Sequence, residues 1–185
     1  MLRYLVVTLE KAVSIAMRSL TPNRPYHVQW FLTRRCNYRC KICEVWKDRL
    51  RGRELSTNEI KAGLDILRKL GVVEIVFSGG NPLLREDIDE ILAYASKSFI
   101  TTIYDNGSMA LRRMETLRYA DFVTISLDTL DREKNDYIKG VPGAWKNAME
   151  AITKLNEEGL AGVASVTISQ MNLNEITTIS KHFVD

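Results

Sequence analysis

The sequence contains few cysteines and no long apolar run. Its 185 residues include only three cysteines, all between positions 36 and 43, whereas secreted domains held by disulfides carry even numbers of cysteines spread along the chain. We therefore expect a reducing, cytoplasmic location. No apolar run approaches the roughly 18 residues that a membrane-spanning helix needs, and no signal-peptide cleavage pattern follows the N-terminus.

Strong net charge and biased composition are absent as well. A formal charge of +3 gives no reason to expect nucleic acid or another strongly acidic partner. Hydrophobic residues make up 45% of the chain and charged residues 26%, as in globular proteins. Since no low-complexity tract, repeat or long linker interrupts the chain, we predict one core domain over residues 23–185, preceded by a helix over residues 1–22.

The predicted N-terminal helix is amphipathic. Glu10 and Lys11 interrupt its apolar positions, and Pro22 and Pro25 close the segment. The apolar stripe could pack on the domain itself, or it could lie on an anionic membrane surface as a peripheral contact through residues 1–20. Its members are Leu2, Leu5, Val6, Leu9, Val13, Ala16, Met17 and Leu20.

Beyond this segment, short apolar runs alternate with longer helical patterns. A capping box at Ser56 and Glu59 opens the first helix of the domain, and Gly71 ends it. Further helical stripes lie near residues 88–95, 109–118, 144–155 and 176–183. The apolar runs predict strands at residues 28–32, 72–77, 99–104, 122–127 and 163–168.

Five strand and helix units predict an α/β fold. Repeated alternation builds a parallel sheet with helices outside it, and the carboxyl ends of the strands meet at one rim. A complete eight-unit barrel takes about 250 residues, so this chain is expected to form a partial parallel (βα) barrel.

The cysteines follow the first predicted strand in the pattern Cys36-x3-Cys40-x2-Cys43. Three thiolates leave one iron of a four-iron, four-sulfur cluster without a protein ligand, and an open coordination position is where a metal site can do chemistry. Zinc with His27 or His182 as the fourth ligand is an alternative, although zinc sites usually draw cysteines from two separated pairs.

Structural, buried cysteines are a third interpretation of the same residues. It fits the neighbouring sequence poorly, because Arg34, Arg35, Arg39 and Lys41 surround the thiols. These cations indicate an exposed, electropositive loop, which predicts lowered thiol pKa values and favours the thiolate form that binds metal.

The cysteine spacing resembles the signature of the radical S-adenosylmethionine (SAM) superfamily. The resemblance implies a 4Fe-4S cluster on Cys36, Cys40 and Cys43, whose remaining iron is chelated by the amino and carboxylate groups of SAM. It also implies six strand and helix units, of which five are present here, so the chain looks truncated after the fifth.

A turn after the second predicted strand extends the resemblance. Ser78-Gly79-Gly80-Asn81-Pro82 resembles the Gly-Gly-Glu-Pro turn of the family, which implies that Gly79, Gly80 and Asn81 bind the methionine end of SAM. Asn81 stands where the family has an acidic residue, so the SAM amino group would lose a charge-assisted partner and bind more weakly.

Later strand ends add further matches. Asp105-Asn106-Gly107 resembles the family's Thr-Asn-Gly, and Ser126-Leu127-Asp128 resembles its ribose-contacting strand end. The resemblance thus implies that Asn106, Ser126 and Asp128 contact SAM. Ile42 stands where members often have an aromatic residue against adenine, so it offers an apolar wall without ring stacking.

The implied activity is reductive cleavage of SAM to a 5′-deoxyadenosyl radical, which abstracts hydrogen from a cofactor precursor, a peptide or a lipid. A ferredoxin- or flavodoxin-like reductant is the implied electron donor. No residue is assigned as a catalytic acid or base. The alternatives are a non-catalytic iron-sulfur or metal-binding module, and a degenerate member that has lost activity through Asn81 and the absent sixth unit.

Overall fold

Strands and helices alternate along the chain, as the sequence predicts. The computed structural model describes residues 13, 25–47 and 53–184. The strands are β1 (His27–Thr33), β2 (Glu74–Gly79), β3 (Ile100–Asp105), β4 (Phe122–Ser126) and β5 (Gly162–Ser165). The α-helices are α1 (Thr57–Leu70), α2 (Ile88–Ala95), α3 (Met114–Leu117), α4 (Arg132–Lys139), α5 (Ala144–Glu157) and α6 (Ile176–Val184).

All five strands form one parallel sheet in the order β1-β2-β3-β4-β5. Each strand pairs with the next one along the chain, and helices make the return crossings. The predicted α/β partial barrel is therefore confirmed. Because the strands are parallel, the segments that follow them lie at the same edge of the sheet.

The two faces of the sheet differ in polarity. Phe77 and Ile103 point toward the helices and are fully buried in the apolar core. Their strand neighbours Ser78 and Thr102 point to the opposite, inner side, because side chains alternate along a strand. On that side Gln29 donates from Nε2 to the Ser78 hydroxyl at 2.9 Å. The inner face can therefore hydrogen-bond a polar ligand.

Helix α1 begins and ends where the sequence predicts. The Ser56 hydroxyl accepts from the backbone N–H of Glu59, and the Glu59 carboxylate accepts from the backbone N–H of Ser56. Gly71 ends the helix in the left-handed region at φ 85°, where glycine has no side-chain clash. Ile60 and Leu64 anchor the helix in the core.

Two predicted elements are shorter than expected. The segment predicted as one helix over 109–118 is a 3₁₀ turn at Ala110–Arg113 followed by α3. Strand β5 ends at Ser165, before the predicted end at residue 168. Beyond it, the backbone N–H of Thr167 donates to Asp128 at 3.0 Å, and its carbonyl accepts from Asn172 at 2.9 Å. Hydrogen bonds with the Asp128 and Asn172 side chains thus take the place of strand pairing at Thr167.

Helix α4 was not predicted from the sequence. Its residues are mostly polar, so no apolar stripe marks it, although Ile138 is buried. The cap residues give the signal that could have found it. Asp131 accepts from the Lys134 backbone N–H at 2.8 Å, and Gly140 ends the helix at φ 66°.

The predicted helix over residues 1–22 lies outside the described residues, apart from the helical position Val13. Its proposed membrane contact and the cytoplasmic location therefore remain predictions. Within the described part of the chain, no helix has the length and apolar character needed to cross a bilayer.

Candidate active site

A cavity of about 430 Å³ at the carboxyl ends of the strands gathers most of the predicted site residues. Cys36, Cys40 and Cys43 line it as free, partly buried thiols. The other predicted residues on its wall are Ile42, Gly79, Gly80, Asn106 and Ser126. Asn81 and Asp128 do not line the cavity, because both are buried beside residues that do.

The segment of residues 34–47, which follows β1 and carries the three thiols, is called the cysteine loop. The glycine turn after β2 packs directly against its start. The backbone N–H of Gly80 donates to the Thr33 carbonyl at 2.7 Å, and that of Asn81 donates to the Arg35 carbonyl at 2.8 Å. A Cβ on Gly80 would lie 2.1 Å from the Arg35 oxygen. The glycines therefore let this turn approach the cysteine loop, a requirement that the sequence interpretation, which considered only a ligand, did not include.

The end of α4 holds the other side of the cysteine loop. The backbone N–H groups of Arg39 and Lys41 donate to the carbonyls of Lys139 and Ile138 at 3.2 and 2.8 Å. A Cβ on Gly140 would lie 2.3 Å from the Arg39 oxygen, so the helix end and the loop are in close contact. The cysteine loop is thus held between the β2 turn and α4.

Burial affects the thiol pKa values of Cys36 and Cys40 more strongly than the basic neighbours do. It raises the pKa of the Cys36 thiol, and it raises the pKa of Cys40 to about 11 despite the nearby ammonium group of Lys139. The expectation of lowered thiol pKa values is therefore wrong for Cys36 and Cys40 in the metal-free protein. A bound metal ion removes the proton from a coordinating thiol, so raised values do not prevent ligation.

A hydrogen-bond network joins the turns after β2 and β3 to the cysteine loop. The Asn81 side chain donates from Nδ2 to Asp105 Oδ1 at 2.6 Å and to Asn106 Oδ1 at 3.2 Å. Asn106 in turn donates to Asn37 Oδ1 at 2.9 Å and lies 3.9 Å from Cys36 Sγ. Three segments that are distant in sequence are therefore tied together around one cysteine.

Asp105 is the buried acceptor of this network. Its Oδ2 accepts from the backbone N–H groups of Gly107, Met109 and Ala110 at 2.9, 3.3 and 3.1 Å. Burial raises the pKa of its carboxyl group, and the N–H donors, including the Asn81 amide, act in the opposite direction. This residue shapes the turn that carries Asn106.

Asp128 makes an ion pair with Lys139 inside the protein. Asp128 Oδ2 lies 2.8 Å from Lys139 Nζ, with side-chain exposures of 1% and 5%. Asp128 Oδ1 accepts from the Thr167 backbone N–H. Both carboxylate oxygens are therefore engaged within the protein, and the predicted ribose contact of Asp128 is untested.

Three cavity residues, Gln29, Lys139 and Thr167, were missed in the sequence. Tyr104, which the sequence places near the mouth of the barrel without a catalytic role, also lines the wall. Lys139 lies on α4, whose polar sequence gave no periodic signal. Gln29 is an inner-face residue of a predicted strand, so strict alternation along β1 could have found it.

The thiol donors suit an iron-sulfur cluster, because such clusters take cysteine thiolates as ligands. His27, one of the alternative zinc ligands, begins β1 at the opposite edge of the sheet and contacts Glu74 at 2.9 Å. Within residues 25–47 and 53–184, no three His, Cys, Asp or Glu side chains are grouped closely enough for a single metal ion. A four-iron cluster binds its thiolates through separate irons, so it accepts a wider spread of ligands.

These features define a parallel partial barrel with three cysteines on the loop after its first strand. Residues 30–180 match the family described as the Radical SAM superfamily, and the chain belongs to that family. Members of this superfamily use a 4Fe-4S cluster and SAM.

Two relatives and a solved structure show the extent of the similarity. Fe-coproporphyrin III synthase of Methanosarcina barkeri is 38% identical over 157 residues, which are 82% of this chain and 39% of that protein. Mycofactocin maturase MftC of Mycobacterium tuberculosis is 31% identical over 168 residues, covering 86% of this chain and 42% of its own length.

Streptococcus suis SuiB bound to precursor peptide SuiA shares the fold, with a TM-score of 0.71 and 21% identity over 91% of this chain and 39% of SuiB. The chain thus spans about two fifths of the length of these three proteins.

Proposed function

We propose that this chain is the cofactor-binding part of an enzyme that cleaves SAM reductively and abstracts hydrogen from a cofactor precursor or a peptide. The observation that carries the proposal is the cavity in which three thiols face the Gly79-Gly80 turn at the carboxyl ends of the strands. Active sites of parallel barrels lie at this edge of the sheet.

The cysteine loop would hold the cluster through Cys36, Cys40 and Cys43. When bound and reduced, the cluster supplies one electron that splits the carbon–sulfur bond of SAM into methionine and a 5′-deoxyadenosyl radical. The backbone carbonyls of Gly79 and Gly80 would accept hydrogen bonds from the amino group of SAM. Their turn keeps its position because of the contacts with the cysteine loop.

The remaining wall residues would orient the nucleoside. Ser126 and Asn106 present a hydroxyl and an amide to the cavity, which suits the ribose hydroxyls, and Ile42 offers an apolar surface to adenine. Asp128, which the resemblance assigns to the ribose, lies behind the wall, so in this proposal it acts on the nucleoside site by pairing with Lys139, a wall residue. Asn81 supports the turn from behind and gives the SAM amino group no negative charge.

The substrate class is supported by the printed names of the relatives. One is a synthase of Fe-coproporphyrin III, one is a mycofactocin maturase, and SuiB is bound to a precursor peptide. These names favour a cofactor precursor or a peptide over a lipid. The chain spans about two fifths of each of these relatives, so their names support a class of substrate and not a particular one.

The proposal is tested by anaerobic reconstitution of the chain with iron and sulfide, followed by reduction and electron paramagnetic resonance spectroscopy with and without SAM. We expect a 4Fe-4S signal that shifts when SAM binds, and release of 5′-deoxyadenosine on reduction. Cys40→Ala should lose the signal.

The matched control replaces a loop residue that is not a proposed ligand, such as Lys41→Gln, which should retain the cluster because Lys41 contacts α4 through its backbone N–H. A cluster signal that SAM does not shift would support a non-catalytic iron-sulfur module or a degenerate member. A protein that takes up zinc but no cluster would contradict the proposed function.

A further inference from the structure

The cysteine loop carries a concentration of positive charge that the net charge of the chain conceals. Among residues 34–47, five exposed side chains are basic and one is acidic, against a total of +3 for the whole chain. The exposed basic residues are Arg34, Arg35, Arg39, Lys41 and Lys47, and the acidic one is Glu44. This charge lies on the segment that carries the three thiols.

Three of these basic side chains lie close to aromatic rings. The Arg39 guanidinium and the Lys47 ammonium lie 5.3 and 5.7 Å from the ring centroid of Trp46. The Lys41 ammonium lies 4.3 Å from the ring of the exposed Tyr137 on α4. We call Arg39, Lys41, Trp46, Lys47 and Tyr137 the basic surface.

The basic surface is connected to the backbone of the cysteines. Arg39 Nη1 donates to the Cys36 carbonyl at 2.9 Å, and Trp46 Nε1 donates to the Cys40 carbonyl at 3.0 Å. Within the described ranges, neither Arg39 nor Lys41 forms an ion pair, whereas Lys47 pairs with Glu44 at 2.6 Å. Two cations on the cysteine loop thus remain available to an external anionic group.

We propose that the basic surface docks an acidic one-electron carrier protein that reduces the cluster; this inference rests on the proposed function. Arginine, tryptophan and tyrosine are enriched where proteins bind one another, and electron-transfer encounters use small interfaces. A positive patch steers an acidic carrier to the loop. One electron moves from the carrier to the cluster, and no bond forms or breaks.

The test uses flavodoxin hydroquinone as the acidic donor and dithionite as the small donor, with the reconstituted full chain. Each flavodoxin hydroquinone that gives up one electron becomes a semiquinone. Lys41→Glu should slow the second-order reduction by flavodoxin about tenfold at low ionic strength, because it reverses one charge at the docking site. The difference should shrink in roughly 0.5 M salt, where charges are screened within a few ångströms. Lys41→Gln should give an intermediate rate.

Lys97→Glu is the matched control. Lys97 is also exposed and lies 5.8 Å from a tyrosine ring, that of Tyr94, but it precedes β3 and therefore lies at the opposite edge of the sheet. Flavodoxin should reduce the cluster of the Lys97→Glu variant at the wild-type rate. The Lys41 variants should keep the cluster signal and the dithionite rate, because Lys41 contacts Ile138 through its backbone N–H.

Equal flavodoxin rates in the wild type and Lys41→Glu would overturn the docking proposal, as would equal slowing by Lys97→Glu. Binding of a labelled RNA that is lost in Lys41→Glu, without any change in the reduction rate, would assign the surface to nucleic acid instead and also overturn it. Failure of the wild type to form a cluster would overturn the proposed function itself, independently of any charge variant.

Discussion

At the scale of single residues, Asn81 and Asp105 depart together from the pattern that the chain resembles. The resemblance places an acidic residue at position 81 and a threonine at position 105, whereas this chain has an amide and an acid. Asn81 Nδ2 donates to Asp105 Oδ1 at 2.6 Å in a buried setting. An acid at position 81 would face the Asp105 carboxylate, so the two departures compensate each other.

We predict that Asn81→Asp lowers the free energy of unfolding by about 2–4 kcal/mol at pH 8, because two buried carboxylates then face each other without a proton between them. The paired carboxylates have raised pKa values in the folded state, so the loss should be smaller near pH 4, where one is protonated, and should grow as pH rises. Urea denaturation at both pH values measures it.

The reciprocal double variant provides the control for this pair. Asn81→Asp combined with Asp105→Asn restores one donor and one acceptor at the contact, so the double variant should be more stable at pH 8 than Asn81→Asp alone. Additive losses in the double-mutant cycle would contradict direct coupling of the two side chains.

A second residue-scale prediction concerns the contact between Gly80 and the cysteine loop. Gly80→Ala should destabilise the chain by about 2 kcal/mol or more and reduce cluster retention, because its Cβ would lie 2.1 Å from the Arg35 carbonyl oxygen. Gly159→Ala is the comparison, since φ is +68° and no atom lies within 4 Å of the added Cβ. It should cost about 1 kcal/mol through backbone strain alone and leave iron content unchanged. Equal iron loss in both variants would contradict a role for the contact between Gly80 and the cysteine loop in holding the cluster.

At the scale of elements, Asp128 joins three segments. It follows β4, pairs with Lys139 at the end of α4, and accepts from the backbone of Thr167 beyond β5. Its own carbonyl accepts from Asn172 Nδ2 at 2.8 Å. The helix that holds the cysteine loop is therefore linked to the last two strands through one buried carboxylate.

We predict that Asp128→Ala lowers the free energy of unfolding by about 3–5 kcal/mol in the absence of SAM, because Lys139 then keeps a buried charge without its partner. Lys139→Met with Asp128→Leu should recover part of the stability, since removing both charges is less costly than removing one. Thermal and urea unfolding of the metal-free proteins give the values. If Asp128→Ala weakened SAM binding but left the free energy of unfolding unchanged, the structural role of Asp128 would be contradicted.

At the scale of the whole molecule, the sheet is unevenly protected. β3 lies at the centre with strands paired on both sides, whereas β1 and β5 each have one paired edge among the described strands. Ile103 in β3 is fully buried, while Val163 in β5 is 41% exposed. Local opening is expected to begin where fewer buried contacts hold the backbone.

We predict that amide hydrogen exchange is slowest in β2 and β3 and at least tenfold faster in β5, because central strands open only in larger unfolding events. Mass spectrometry of peptides that cover residues 74–79, 100–105 and 162–165 measures these rates. Uniform protection across the three peptides would indicate that the sheet opens only as one unit.

The sequence was informative where a local pattern has one physical cause. The capping box, the apolar runs and the cysteine spacing predicted α1, the five strands and the thiols that line one cavity. Tertiary contacts decided the rest: α4 has no apolar stripe, β5 is cut short by bonds from Asp128 and Asn172, and the Asp128–Lys139 pair joins residues on different elements. No local pattern reports such contacts, so Lys139 was missed. For the same reason the sequence did not reveal the burial of Cys36 and Cys40, which affects their pKa values more than the basic residues nearby do.

The indole of Trp46 places a fluorophore on the cysteine loop. Its Nε1 donates to the Cys40 carbonyl, whereas Trp30 lies on β1 and Trp145 on α5. Assembly of an iron-sulfur centre beside the loop should quench its emission by energy transfer to the coloured metal group. The kinetics of cluster insertion can therefore be followed by the decrease in tryptophan fluorescence. Trp46→Phe, which keeps only Trp30 and Trp145, gives the reference from which the contribution of Trp46 is obtained.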